Sequence, residues 1–206
     1  MFTKKELTWM IIFILIMGFI LGFSEKPDFT YYFFLISAII IVSHILVKKL
    51  FAIYFAVRIE HKPFYWQRWG WYERSHLRWP IPMGLILPFF LSLFSLGIVK
   101  MLWFFEFNLT PTKKKSLRVR GMHRREEVNE TDFALIAFWG FIWLLVLAII
   151  ASFLHHPDLA KYAVFYGLWN LIPIAWLDGS RLFYGTPFTW FFMMILYLIS
   201  LVAVML

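Results

Sequence analysis

Apolar runs separated by short charged connectors dominate this chain. The runs cover about residues 7–23, 31–50, 133–154, 163–178 and 187–206. Most approach the roughly 20 residues that an α-helix needs to cross a bilayer. A further run, 80–107, is apolar but irregular, interrupted by Pro80, Pro82, Gly84, Pro88 and Gly97, with Lys100 and Glu106 near its end. It reads either as a kinked span or as a re-entrant hairpin, which is tolerated where surrounding protein satisfies the broken backbone. Between the second and third runs, Tyr54–Glu60 (YFAVRIE) has the alternation of a strand, and 64–79 (FYWQRWGWYERSHLRW) reads as an aromatic and basic belt at a membrane surface. The pattern therefore predicts an all-α polytopic membrane protein, a single transmembrane domain over 1–206 with a short β-like or re-entrant insert. Thr131 or Asp132 is the expected cap of the 133–154 helix.

Composition sharpens this. The chain has 206 residues, 62% of them hydrophobic and 22% aromatic, which excludes an ordinary soluble domain, and the connectors leave no room for a separate aqueous one. Its net charge is +8, concentrated in the connectors 51–79 and 108–132; Lys113, Lys114, Lys115, Arg118, Arg120, Arg124 and Arg125 make the second strongly basic. Such excess marks cytoplasmic loops rather than nucleic-acid binding. Lys4 and Lys5 ahead of the first run place the N-terminus inside, and the expected location is the plasma membrane. The absence of cysteine excludes disulfides and thiolate metal sites.

Few polar residues interrupt the apolar runs. His44 and Lys48 stand one helical turn apart near the end of the second, and Asn170, Pro173 and Asp178 mark the fourth. A carboxylate in an apolar helix faces a protein interior, a cavity or an ion, or caps the next segment from the aqueous boundary. Lys48 stands beside Lys49, where its stem can extend to the interface. His155-His156 precedes a proline in a short turn and reads as a solvated pair rather than a metal site.

The segment Asn170-Leu-Ile-Pro173-Ile-Ala-Trp-Leu-Asp178-Gly179-Ser-Arg resembles the NLLPIPPLDG segment of the site-2 protease family of intramembrane zinc metalloproteases. The order of the chain agrees with that family: a helix carrying His44, a partly β-like insert, a helix with Ala137-Phe-Trp-Gly140, then the Leu-Asp-Gly segment. In active members a helix carries His-Glu-x-x-His, whose histidines bind zinc while the glutamate activates the zinc-bound water. The resemblance puts the first histidine on His44, the catalytic glutamate on Ile45, the second histidine on Lys48 and the third ligand on Asp178. Gly-Pro-x-x-Asn becomes Gly140-Phe141-Ile142-Trp143. Asn170, Pro173, Gly179 and Gly140 are the supporting positions.

The departures imply more than the matches. Isoleucine cannot act as a base, and two ligands, His44 and Asp178, are short of the three that catalytic zinc takes. The expectation is a catalytically inactive relative, a His44–Lys48–Asp178 cluster in place of the metal, no cofactor, and as partners the bilayer and the transmembrane helices of client proteins. Two alternatives stay open: an active zinc protease recruiting His61, His76 or His123, and a small transporter or channel using the helix break at Asn170 and Pro173. His44 and Asp178 share one end of the bundle only if 80–107 turns back, which predicts five spans plus a hairpin.

Overall fold

A computed structural model describes residues 2–23, 30–55, 57–68, 76–102, 105–111, 129–174 and 177–205. Seven helices and four short strands are seen among them: α1 (Lys4–Gly22), α2 (Thr30–Tyr54), β1 (Val57–Pro63), β2 (Trp66–Arg68), β3 (His76–Ile81), α3 (Met83–Phe94), β4 (Phe105–Pro111), α4 (Glu130–Phe153), α5 (Pro157–Leu171), α6 (Asp178–Gly185) and α7 (Pro187–Met205). Four of these helices, α1, α2, α4 and α7, are long and apolar enough to cross a membrane. Even the 19-residue α1 is about 28 Å long at 1.5 Å per residue, close to a hydrocarbon core of roughly 30 Å.

The helix ends follow from local chemistry. Thr3 caps α1, accepting from the Glu6 amide at 3.2 Å while the Glu6 carboxylate accepts from the Thr3 amide at 3.4 Å. Asn129, rather than Thr131 or Asp132, caps α4; Asp132 is the third residue of the helix and closes the same reciprocal box. At the other end of α4, His155 adopts φ 58°, and the amides of His155 and His156 return to the Ser152 and Ala151 carbonyls. This is the left-handed helix stop usually built with glycine. The histidine pair thus terminates α4, and Pro157, which needs no amide partner, starts α5. α3 stops the same way: Leu96 has φ 52°, and the Leu96 and Gly97 amides bond to Leu93 and Ser92.

Side-chain contacts give the helix directions. Glu6 meets Lys49, and the Ser37 hydroxyl donates to the Ile14 carbonyl, so α1 and α2 are antiparallel. α7 runs alongside α4, with the Tyr197 hydroxyl donating to the Phe141 carbonyl, and antiparallel to α5, with the Trp190 indole donating to the Leu171 carbonyl at 2.8 Å. α7 turns Trp190, Met193 and Tyr197 inward and leaves Phe188, Phe191, Phe192, Ile195, Leu198, Ile199 and Val202 exposed. An apolar outer face of this size suits lipid rather than water.

Two segments differ from the expected pattern. The predicted span 163–178 is not one helix: α5 begins earlier, at Pro157, and ends at Leu171, and α6 starts only at Asp178. Pro173 offers no amide to continue the helix, while the Asn170 amide group donates to the Tyr166 and Leu102 carbonyls and secures the break. The predicted loops 51–79 and 108–132 are also partly regular. α2 continues to Tyr54, β1 confirms the strand alternation, and β4 pairs antiparallel with β1 from Pro63↔Phe105 to Val57↔Pro111. β4, FEFNLTP, alternates apolar and polar residues, but it straddles the boundary between the 80–107 run and the 108–132 connector, so neither segment shows the pattern whole.

That pairing fixes the path of the insert. Residues 63 and 105 are neighbours, yet Phe89 of α3 stacks on Phe19 at 5.6 Å, and Lys100 donates to the Leu21 carbonyl at the far end of α1. The chain therefore runs out along α1 and turns back. At 12 residues, α3 is about 18 Å long and too short to cross a bilayer alone.

A non-glycine residue in the left-handed region costs roughly 1–2 kcal/mol. Leu96→Gly and His155→Gly should each raise the melting temperature of the purified protein in detergent. An unchanged or lower melting temperature would show that these turns carry no such strain.

Candidate functional site

α2, α4 and α6 converge on one buried polar centre. His44, Lys48 and Asp178 are each 2% exposed or less. The Lys48 ammonium donates to Asp178 Oδ2, and His44 Nε2 lies 3.7 Å from the same oxygen. The structure thus brings together the three positions where the resemblance puts metal ligands. Lys48 does not extend to the interface. Ile45, on the catalytic glutamate position, is buried at 1% exposure.

Two glycines make this approach possible. A Cβ on Gly140 would lie 2.7 Å from Lys48 Cε and 2.8 Å from His44 Nε2. A Cβ on Gly179 would fall 2.1 Å from the Leu171 carbonyl oxygen, which is backbone and has nowhere to move. Gly179 therefore lets the first turn of α6 sit directly on the end of α5, which brings Asp178 inward. Asn170 and Pro173 act one step earlier, by ending α5 where α6 must begin. Gly140 is ten residues into α4, about 15 Å from its start. The centre thus lies deep in the bundle, where a charge needs a partner.

The remaining sides are aromatic. Tyr166 of α5 meets the His44 ring edge-on at 5.4 Å, and the Phe107 ring of β4 faces the Lys48 ammonium at 4.9 Å. His44 Nε2 and Asp178 Oδ1 have no hydrogen-bond partner among the described residues.

A second buried centre, which the sequence reading did not find, adjoins the first. Glu6 is 2% exposed and accepts from Lys49 Nζ at 2.6 Å, from the His61 amide at 3.2 Å and from the His61 ring Nδ1 at 3.1 Å. The available signal was Thr3-x-x-Glu6, legible as a helix start; nothing local shows that the same carboxylate also meets a strand some 55 residues away. On the sheet's outer side, Lys62 pairs with Glu106 at 2.8 Å.

Of the alternative histidines, His61 is committed to Glu6, His76 is placed only as the first residue of β3, and His123 lies outside the described residues. The donor chemistry at Asp178 is one imidazole nitrogen and one carboxylate already bonded to an ammonium. That set does not fit zinc, which takes three protein ligands and an open position in a catalytic site. What the arrangement can do is hold a buried negative charge neutral and bind α2 to α6.

No family model, no curated protein and no solved structure matches this chain.

Removing one partner of a buried ion pair strands the other charge and costs about 3–5 kcal/mol, whereas replacing both by apolar groups is often near neutral. Lys48→Met and Asp178→Leu should each destabilise by that amount. The double variant should lose far less than the sum, as measured by thermal or denaturant unfolding in detergent. Additive losses would show that the two groups do not depend on each other.

Burial pushes the His61 imidazole below its usual range and Lys48 adds to this, while the bond to Glu6 opposes it. Above pH of about 6.5 the ring is neutral in both folded and unfolded chains. Below that, the unfolded chain takes up the proton more readily, so stability falls as pH drops towards the depressed folded value. Acidification from about pH 7.5 to about pH 5.5 should therefore lower the melting temperature less in His61→Gln than in the wild type. Equal falls would assign the titration to another group.

Proposed function

We propose that this chain is a multi-pass membrane protein, a catalytically inactive relative of the site-2 proteases, that binds or regulates other membrane proteins through their transmembrane segments. The observation that carries this reading is the Lys48–Asp178 ion pair. It occupies the position where the resembled proteases hold their metal, with Ile45 where their catalytic base stands. Water activation there would require a third ligand and a base, and the pair provides neither. The surrounding features support a retained scaffold: the helix break at Pro173, the close approach at Gly179 and Gly140, and the hairpin that returns through β4. On this reading the N-terminus and the basic connectors are cytoplasmic, and the positive charge of the connectors supports that orientation.

Three measurements on protein reconstituted in lipid vesicles test the proposal. Metal analysis should find no stoichiometric zinc, labelled single-span helices should remain uncut, and energy transfer should report their saturable association with the protein. Stoichiometric zinc that disappears in Asp178→Ala, together with helix cleavage, would replace this reading with an active protease. Absence of saturable association with any helix tested would remove the binding role.

A further inference from the structure

The two buried charged centres lie under the same inner face of one structural unit, the β1–β4 pair. His61 and Phe107 are directly opposite each other in its register. Phe107 is fully buried, faces the Lys48 ammonium at 4.9 Å on one side and meets Phe133 of α4 at 5.7 Å. His61, on the same buried face with its ring 6.2 Å from that of Phe107, reaches Glu6 of α1. Phe105, next to Phe107 but one, packs edge-on against Phe13 of α1 at 4.5 Å. The inner residues Val57, Ile59, Leu109 and Phe107 are buried, whereas Arg58 and Glu60 point outward. The pair thus forms a two-stranded plate with an apolar underside lying over the Lys48–Asp178 centre.

Two strands alone are marginally stable, so such a plate holds its place through what it is fastened to. The polar fastening is concentrated in Glu6. One carboxylate accepts from the β1 backbone, from a β1 side chain and from Lys49 of α2, and so joins three elements at a single point. Charge-assisted hydrogen bonds of this kind are the stronger sort, and the donors become unsatisfied when the acceptor is lost. We propose that the β1–β4 plate is a movable cover over the His44–Lys48–Asp178 centre and that Glu6 is the latch that holds it closed. Release of the latch lets water reach the Lys48 face of α2 without unfolding the helical bundle. This device goes beyond the binding role above and stands whether or not that role holds.

The chain lacks cysteine, so single reporter thiols can be introduced without background. Ala52 lies one turn beyond Lys48 on α2 and is 1% exposed; Ala163 of α5 is fully buried and serves as the control. In the full-length protein in lipid vesicles, Ala52→Cys should react slowly with a maleimide, and adding Glu6→Gln should speed the reaction by about tenfold or more. Ala163→Cys should stay as slow with Glu6→Gln as without it. His61→Phe, which keeps the ring bulk but removes the side-chain bond to Glu6, should give a smaller acceleration at Ala52→Cys alone, and it serves as the deciding variant if Glu6→Gln does not fold. An unchanged rate at Ala52→Cys would overturn the latch, as would equal acceleration at both reporters, since that reports general loosening.

Discussion

A carboxylate buried inside an apolar helical bundle must be neutralised, and in this chain that requirement shapes the core. Asp178 is answered by Lys48, and the contact forms only because several local choices agree. Pro173 ends α5, Gly179 allows α6 to rest on the terminal carbonyl of Leu171, and Gly140 clears the space through which the lysine stem passes. None of these residues carries chemistry of its own. Each acts by bringing one ammonium and one carboxylate within reach where water is excluded.

α2 is the hub of the molecule. Lys48 and Lys49 are adjacent and therefore point about 100° apart around the helix, so one helix supplies cations to two separate carboxylates. Lys48 ties α2 to α6, and Lys49 ties it to α1 beside β1. The aromatic ring of Phe107 stands between these centres and is part of the same plate as His61. Burial, charge and strand register are thereby coupled within a few residues.

Much of the helical layout was legible because it rests on length and apolarity alone. The four long runs became α1, α2, α4 and α7 with ends shifted by a few residues; at α4 the shifts trace to the Asn129 cap and the His155 stop. The meeting of His44, Lys48 and Asp178 follows from an ordered set of motifs rather than from any one of them. Three features were not legible. β4 is hidden because its alternation is divided between the end of an apolar run and the start of a charged connector. The division of 163–178 into α5 and α6 depends on how far Pro173 disrupts the backbone, which hydrophobicity does not report. Glu6 reads as a routine helix-capping residue, since its partners come from distant chain.

The insert has a consequence for how such a chain can change over time. Pro63 and Phe105 are paired neighbours, although Phe89 and Lys100, which lie between them in the chain, reach to the level of Phe19 and Leu21. The excursion begins and ends at the same place. It could be shortened, lengthened or exchanged without reversing the direction of any later helix, because its net displacement is close to nil. Loss of α1 or α2 alone would invert everything that follows. The excursion is thus the part of this architecture freest to diverge, while the paired strands at its base keep the rest in alignment.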